Sequence, residues 1–128
     1  KYLYFGRCAA KLDDAANWLP SRLAAVLWVA AAAITGNDAK GAWRIWRRDR
    51  RNHASPNSAQ TESACAGALR VQLAGPAYYF GEYYDKPTIG DARRAVEPED
   101  ILRANRMMYA ASLLAWALGL AVRWIFVM

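Results

Sequence analysis

Histidine occurs once in this sequence and cysteine only twice, at Cys8 and Cys65, far apart and in no C-x-x-C pair. That excludes a disulfide framework and a zinc site of spaced Cys and His pairs. Cys65 stands in an alanine-rich run and reads as a small packing residue. No G-x-x-x-x-G-K-[ST] is present, so any ATP would not be held by a P-loop. No internal repeat is visible. Acidic residues are in deficit, 11 against 17 Lys and Arg, for a net charge of +6. Such a balance suits nucleic acid, an anionic membrane face or phosphorylated substrates. Neither an initiator methionine nor a signal-peptide pattern opens the chain. Lys1-Tyr2-Leu3-Tyr4-Phe5 is therefore expected to continue a longer chain, with an active site only partly present.

What is abundant is apolar. Hydrophobic residues make up 55 % of the 128, above the usual share of about 45–50 %, yet mean hydropathy is close to zero. The apolar residues are therefore concentrated. One run, LAAVLWVAAAAITGN, is short for a spanning helix but becomes long enough with Leu19, Pro20 and a snorkelling Arg22. The other, MMYAASLLAWALGLAV followed by Arg123 and WIFVM, carries interfacial-type Tyr109, Trp116 and Trp124. Segments 19–36 and 107–127 are thus candidate membrane segments, the alternative being two buried helices of a soluble bundle. The polar region 38–106 between them holds twelve of the 17 basic residues, and the positive-inside rule places it in the cytoplasm.

The fold class expected is all-α, integral membrane helices with a basic cytoplasmic region of helices and at most one short hairpin. Asp38 is placed to cap a helix to about Asn52, with Trp43, Ile45 and Trp46 among its arginines, a pattern that suits the headgroup plane. Pro56 breaks it, and Asn57 or Ser58 caps a second helix from Ala59 to about Leu73. In that helix Ser63/Gly67 and Ala64/Ala68 have the spacing that lets another helix approach closely. Tyr78-Tyr79-Phe80 and Tyr83-Tyr84 around Gly81 suggest a hairpin. Pro98, with Glu99 and Asp100 behind it, starts a helix that continues into the terminal apolar run.

Two segments offer chemistry. Asp13, Asp14 and Asn17 form D-D-x-x-N; helical spacing sets Asp13 and Asn17 on one face with Asp14 beside them, oxygen ligands of the kind that hold Mg²⁺ together with a phosphate. A solvated helix end would look the same. His53-Ala54-Ser55-Pro56-Asn57-Ser58 follows a run of arginines and offers a phosphate the donors it needs, free N–H groups at the next helix start included. Glu62, one turn past Ser58, could serve as general base or metal ligand, or only as a residue favoured by the helix dipole. Lys86 adds one cation in a loop.

In order the segments read F-G-R-x-A-A-K-L-D-D-x-x-N-W-L-P-S-R, then R-R-D-x-R-x-H-x-S-P-N-S, then E-x-x-x-A-G-A-L-x-x-Q-L-x-G-P, then K-P-T-I-G-D, then E-P-E-D-I. From about Tyr4 to Ile101 this closely resembles the adenosylcobinamide-phosphate synthase family, the CobD/CbiB type of cobalamin biosynthesis, over the last two-fifths of a typical member. The resemblance implies a multi-pass protein of the bacterial inner membrane, the missing N-terminal part of the same enzyme being its partner. It implies ATP and Mg²⁺ as cofactors, and a corrinoid, adenosylcobyric acid, and an amino-alcohol phosphate such as aminopropanol phosphate as substrates. Residues 1–128 would be one C-terminal portion, inactive alone. Amide synthesis needs a leaving group on a carboxylate, usually an acyl phosphate, and a deprotonated amine aligned with the acyl carbon. Asp13, Asp14 and Glu62 are then metal or base candidates, with Mg²⁺ on Asp13 and Asp14. Arg22, Arg48 and Arg51 are candidate phosphate clamps. His53, Ser55 and Asn57 would orient the phosphate or the amine, with Asn17, Ser58 and Lys86 as further substrate contacts.

Two other classes stay open: a Mg²⁺-dependent membrane transferase acting on a diphosphate, which calls for a second acidic motif, and a non-enzymatic basic module for anionic lipid or nucleic acid, which would not need H-x-S-P-N-S. The family reading expects no nucleic acid. If 19–35 crosses the bilayer, the two motifs lie on opposite faces and cannot share a site. The first apolar run is therefore expected to be re-entrant, or one motif to sit at membrane depth in a polar cavity.

Overall fold

A computed structural model describes residues 3–127, with side chains from Gly6 onward. Its elements run α1 (Leu3–Ala16), α2 (Trp18–Ile34), α3 (Ala39–Asp49), α4 (Ser58–Leu69), β1 (Gln72–Ala74), β2 (Ala77–Tyr79), β3 (Glu82–Tyr84), β4 (Thr88–Gly90) and α5 (Glu99–Val127). The break after Ala16 follows from Pro20, which has no N–H to give and crowds the carbonyl four residues back; Gly6–Ala16 and Trp18–Ile34 meet at a bend of 46°. α2 buries Ala25, Ala31 and Ala32 and ends at Thr35, before Gly36 at φ +74°.

α3 begins as expected, the Asp38 carboxylate accepting from the Gly41 N–H at 2.8 Å. Its apolar stripe packs inside the fold. Ile45 and Trp46 are buried, and only Trp43 faces outward. The tightest helix crossing is α3 on α4. A methyl added at Gly41 would stand 2.6 Å from the Gly67 carbonyl oxygen, and one at Gly67 would strike the Gly41 carbonyl. Ser63, Ala64, Gly67 and Ala68 are buried along this seam, as the small-residue spacing predicts.

The expected all-α fold needs correction in one region. α4 ends at Leu69, not near Leu73, because Arg70 takes a left-handed conformation (φ 59°). The chain then pairs β1 with β4, antiparallel, Leu73 opposite Ile89. The ladder exists because Ile89 is fully buried beside Ala59 and Ala66 and Gly90 (φ +89°) lies where a side chain would strike the Val71 carbonyl. Three-residue strands carry no alternation that a sequence could display. The hairpin around Gly81 is present: β2 pairs with β3, Tyr78 opposite Tyr83, across a turn with Phe80 and Gly81 at φ 52° and 85°.

α5 starts behind Pro98 and runs 29 residues. Its first turn is fastened by Asp100, 5 % exposed. That carboxylate accepts from Arg94 at 2.6 and 2.8 Å, from Arg103 at 2.8 Å and from the Glu97 N–H at 3.0 Å. Arg94 also donates to the Leu69 carbonyl, so the clasp ties α5 to the end of α4. α5 then runs antiparallel to α2: Arg94, Glu97 and Arg103 line a hollow with Gly36 and Asn37, while Ser112 and Ala115 lie by Ala24 and Leu27. Met107 and Ala111 enter the core. Beyond them Leu113, Trp116, Leu120, Trp124, Ile125 and Phe126 are exposed. α5 is long and apolar enough to cross a membrane, with 6 % of its most apolar window buried. Segment 19–36 differs. α2 has 17 residues, about 25 Å of helix against a hydrocarbon thickness of about 30 Å. It passes as a span only when joined across the bend to Gly6–Ala16. Cys65 is an inert packing residue, as expected: burial, then the Asp100 charge, push its thiol up to about 11.

Candidate functional site

The two motifs meet. α3 and the loop after it lead the chain back to the start of α2, so His53–Ser58 closes over Asp14. Ser55 Oγ donates to Asp14 Oδ1 at 2.9 Å, and Asn57 Nδ2 donates to the Asp14 carbonyl at 2.9 Å. The Asn57 side-chain oxygen accepts from Ser21 Oγ at 3.1 Å and from Arg22 Nη1 at 3.4 Å. Asn57 is thus the first residue before α4 but caps nothing with its side chain; it is turned to the other motif. Asp13 accepts from Asn17 Nδ2 at 2.9 Å, the one-face pairing that the helical spacing predicts. The loop is held from below by Gln60, 1 % exposed. Gln60 accepts from Trp46 Nε1 at 2.9 Å and donates to the carbonyls of Pro56 and Arg50.

Three arginines gather here. Arg22 is half-buried over the Trp18 ring, 4.1 Å from its centroid. Its pKa is lowered by burial first and then by the charges of Arg50 and Arg51. No carboxylate within 4.0 Å neutralises any of the three among the described residues. Positive charge held together without an acidic partner, beside two carboxylates and a helix start, suits a phosphate group. Arg48 does not join them. It is fastened to Asp49 at 2.6 and 2.8 Å and to Asp91 at 2.7 Å. Asp49 is buried and also accepts from the Gly90 N–H; burial raises its pKa, but Arg48 and that N–H outweigh it and hold it below the usual carboxylate range.

A second feature adjoins the loop. His53, Glu62 and Lys86 line one open cleft of about 370 Å³ with Leu73–Ala77 and Tyr79. The Lys86 ammonium lies 3.9 Å from the centre of the Tyr79 ring. His53 Nδ1 accepts from the Ser55 N–H at 3.1 Å, so in the neutral ring the proton sits on Nε2. The structure therefore brings together Asp14, Ser55, Asn57 and Arg22 on one side of the loop and His53, Glu62 and Lys86 on the other. Ser58 opens α4 between them.

No group of three or more His, Cys, Asp and Glu that could hold a metal occurs among the described residues. The donors fit Mg²⁺ in another way. Asp13 and Asp14 each keep one oxygen outside the bonds above, and Mg²⁺ is commonly held by one or two carboxylates with waters and substrate phosphates completing its shell. Sequence reasoning missed Ser21, Arg50, Gln60 and Tyr79. Ser21 belongs to the W-L-P-S-R block and Arg50 to the arginine run before His53, so both were legible there; Gln60 and Tyr79 are brought in by the fold and carry no local signal.

The profile of the CobD/Cbib protein family matches residues 1–108. The chain is 47 % identical over 98 % of its length to the cobalamin biosynthesis protein CobD of Desulfotalea psychrophila, covering 38 % of that protein. It is 45 % identical over 96 % to the CobD of Clostridium perfringens and 50 % identical over 96 % to the cobalamin biosynthesis protein CbiB of Salmonella typhi, covering 39 % of each. The chain thus spans about two-fifths of the length of the curated relatives it matches. No solved structure matches. With its motifs in order and its length covered by these relatives, the chain belongs to the CobD/CbiB family.

Proposed function

We propose that this chain supplies the phosphate and metal side of an adenosylcobinamide-phosphate synthase, which in cobalamin biosynthesis joins adenosylcobyric acid to an amino-alcohol phosphate as an amide, with ATP consumed. The observation that carries the reading is the closure of Ser55 and Asn57 onto Asp14. Two motifs some 40 residues apart in sequence meet through direct hydrogen bonds, beside arginines that no carboxylate neutralises. Bound Mg²⁺ would draw charge from the phosphate oxygens and from the developing leaving group. Asp14 and Asp13 would hold it. Arg22 and Arg51 face the phosphates, and Asn57 fixes Arg22. Ser55 fixes both Asp14 and His53, so the loop aligns the two sides. His53, Glu62 and Lys86 serve the second substrate.

The same closure supports a reading of the membrane arrangement. α3 brings the chain back along α2, with Arg44, Arg47 and Arg48 exposed. If α2 crossed the bilayer, this charged helix would cross back through it, at several kcal/mol per unpaired charge. We place the central basic region on the cytoplasmic side of the bacterial inner membrane, with α5 as the crossing helix, α2 beside its apolar run and both motifs at membrane depth in a polar cavity open to the cytoplasm; the rest of the enzyme's membrane helices are in the part its relatives carry beyond this chain.

The test is genetic and enzymatic. The segment is placed in a full-length enzyme in a strain lacking its own synthase, and cobalamin is measured after feeding cobyric acid. Wild type restores synthesis. Asp14→Ala and His53→Ala abolish it while the protein stays in the membrane, and high Mg²⁺ partly rescues only the Asp14 variant. Near-normal turnover in both variants would remove the catalytic roles.

A further inference from the structure

The β2–β3 hairpin stands apart from the body of the fold. The backbone of its two strands approaches no other helix or strand. A lone two-stranded hairpin is marginally stable in water and needs a further strand or a helix to pack on. This one has three-residue strands and a bulky residue where its turn least suits one. Phe80 and Gly81 both have positive φ, 52° and 85°, the backbone of a type I′ turn, which favours Asn-Gly. That turn holds the Phe80 ring clear of the protein, 107 % exposed. Strand alternation gives the ribbon two faces. Tyr79 and Tyr84 lie on the cleft side, with Lys86 against the Tyr79 ring. Tyr78 and Tyr83 lie on the other, paired edge-on with ring centres 5.3 Å apart, and exposed by 74 % and 58 %. Neither of their hydroxyls has a hydrogen-bond partner among the described residues, whereas the Tyr84 hydroxyl donates to Glu82 at 3.1 Å.

We propose that Tyr78, Phe80 and Tyr83 form a docking surface for the rest of the same enzyme, the part that its relatives carry beyond this chain. Exposed aromatic rings gathered on one short element are the anchors that protein interfaces favour. The chain covers 38 % of one relative and 39 % of two others, so the larger part of such a protein is left to cover the hairpin. Lipid hydrocarbon is a poor occupant. The ribbon pairs with no third strand, and hydrocarbon cannot satisfy the free N–H and C=O groups of its two outer edges. Strand addition from a second copy is disfavoured as well, because the strands are short, Pro76 stands in front of β2, and Glu82, Asp85 and Lys86 charge the other edge. The cleft side of the same ribbon forms a wall with His53 and Glu62, so a partner seated on the hairpin also stands where this open cleft is closed. The counterpart expected is an apolar groove between helices that offers acceptors to the Tyr78 and Tyr83 hydroxyls. The docking surface does not depend on the amide-forming reading, and its test is read without turnover.

The test is site-specific photocrosslinking in a full-length enzyme that carries this segment, in its membranes, with a protease site engineered where the segment joins the rest. A benzophenone amino acid takes the place of Tyr83. After irradiation and cleavage the two pieces are expected to stay joined on a denaturing gel. Phe80→Asn separates docking from turn geometry, since Asn suits the left-handed position and has no ring. Docking predicts that Phe80→Asn lowers the yield of joined pieces about tenfold, the scale of one anchoring residue, and that Phe80→Tyr keeps it. An unchanged yield in Phe80→Asn reduces Phe80 to a turn residue and overturns the anchor. Docking is also overturned if the label joins two whole copies, joins lipid, or joins nothing. Gel filtration in detergent checks that each variant is folded; if Phe80→Asn is not, the crosslink from position 83 in the Phe80 enzyme decides by itself, joined pieces supporting the surface and separate pieces removing it.

Discussion

Asp14 does two things at once, and its variants separate them. Its Oδ1 accepts from the Ser55 hydroxyl, and under the proposed function its charge would hold Mg²⁺. Asp14→Asn keeps an oxygen for Ser55 but not the charge. It is expected to retain the fold and lose turnover by about 100-fold or more, the usual scale for removing a charge-stabilising group. Recovery of activity in Asp14→Asn would make the residue structural. Asp100 is the opposite case, a carboxylate with partners and no chemistry. Asp100→Asn strands parts of Arg94 and Arg103, and because both guanidiniums keep access to water the expected loss is about 2–3 kcal/mol, read from thermal unfolding. Hydrogen bonds from Arg94, opposed by burial and aided by the Glu97 N–H and Arg103, hold the Asp100 pKa well below the usual carboxylate range. A depressed folded-state pKa gives stability that is fully present above the unfolded value of about 4 and is lost as pH falls below it. Asp38, held down chiefly by the Gly41 N–H, acts in the same window. Unfolding temperature should therefore be flat from neutral pH to about 4 and fall below it, and Asp100→Asn should flatten that acid limb.

At the scale of elements the crossing of α3 and α4 governs everything above it, since α3 sets where the His53 loop returns. Gly41 and Gly67 sit backbone to backbone, so there is no flexible side chain to give way. Gly67→Leu must drive the helices apart and is expected to cost about 3 kcal/mol or more, in excess of ordinary overpacking. Gly119, with nothing within 4 Å of an added methyl, lies within α5, so Gly119→Ala should be neutral or stabilising by about 0.5–1 kcal/mol. Denaturation of the two variants side by side checks this; equal effects would mean that the crossing is loose. The β2–β3 hairpin is the other element with a task. Its Tyr79 and Tyr84 form one aromatic face and steady Lys86.

For the whole molecule the question is which surfaces meet lipid. α2 and α3 share a side of the fold because the loop after α3 is bonded to the start of α2. Single cysteines in a Cys8- and Cys65-free enzyme decide the matter. Asn37→Cys and Ala54→Cys, at the two ends of α2, are both expected to react with a membrane-impermeant maleimide from the cytoplasmic side. Labelling from opposite sides would make α2 a spanning helix, with both motifs together at its far end.

The sequence by itself determined the helices and the family. Pro98 with Glu99 and Asp100, Asp38 before its helix, Gly67 among alanines and the terminal apolar run each act within one or two turns, and a local signal is enough for a local structure. It also singled out Asp14, Ser55 and Asn57, which the fold brings together, because D-D-x-x-N and H-x-S-P-N-S are oxygen- and nitrogen-rich where the neighbouring chain is not. Only the tertiary structure decided which of them act together. Arg48 looks as basic as Arg22, yet it is spent on Asp49 and Asp91, carboxylates brought to it by chain closure. Asn57 reads as a helix cap and serves instead as a bond between motifs. The ladder of β1 with β4 was invisible because three residues carry no period and its stability comes from Ile89 in a core assembled elsewhere. The same non-local closure removes the conflict that a spanning α2 creates: hydrogen bonds between Asp14 and residues 55–57 hold both motifs at one end of α2, a fact of three-dimensional return that no one-dimensional count of apolar residues contains.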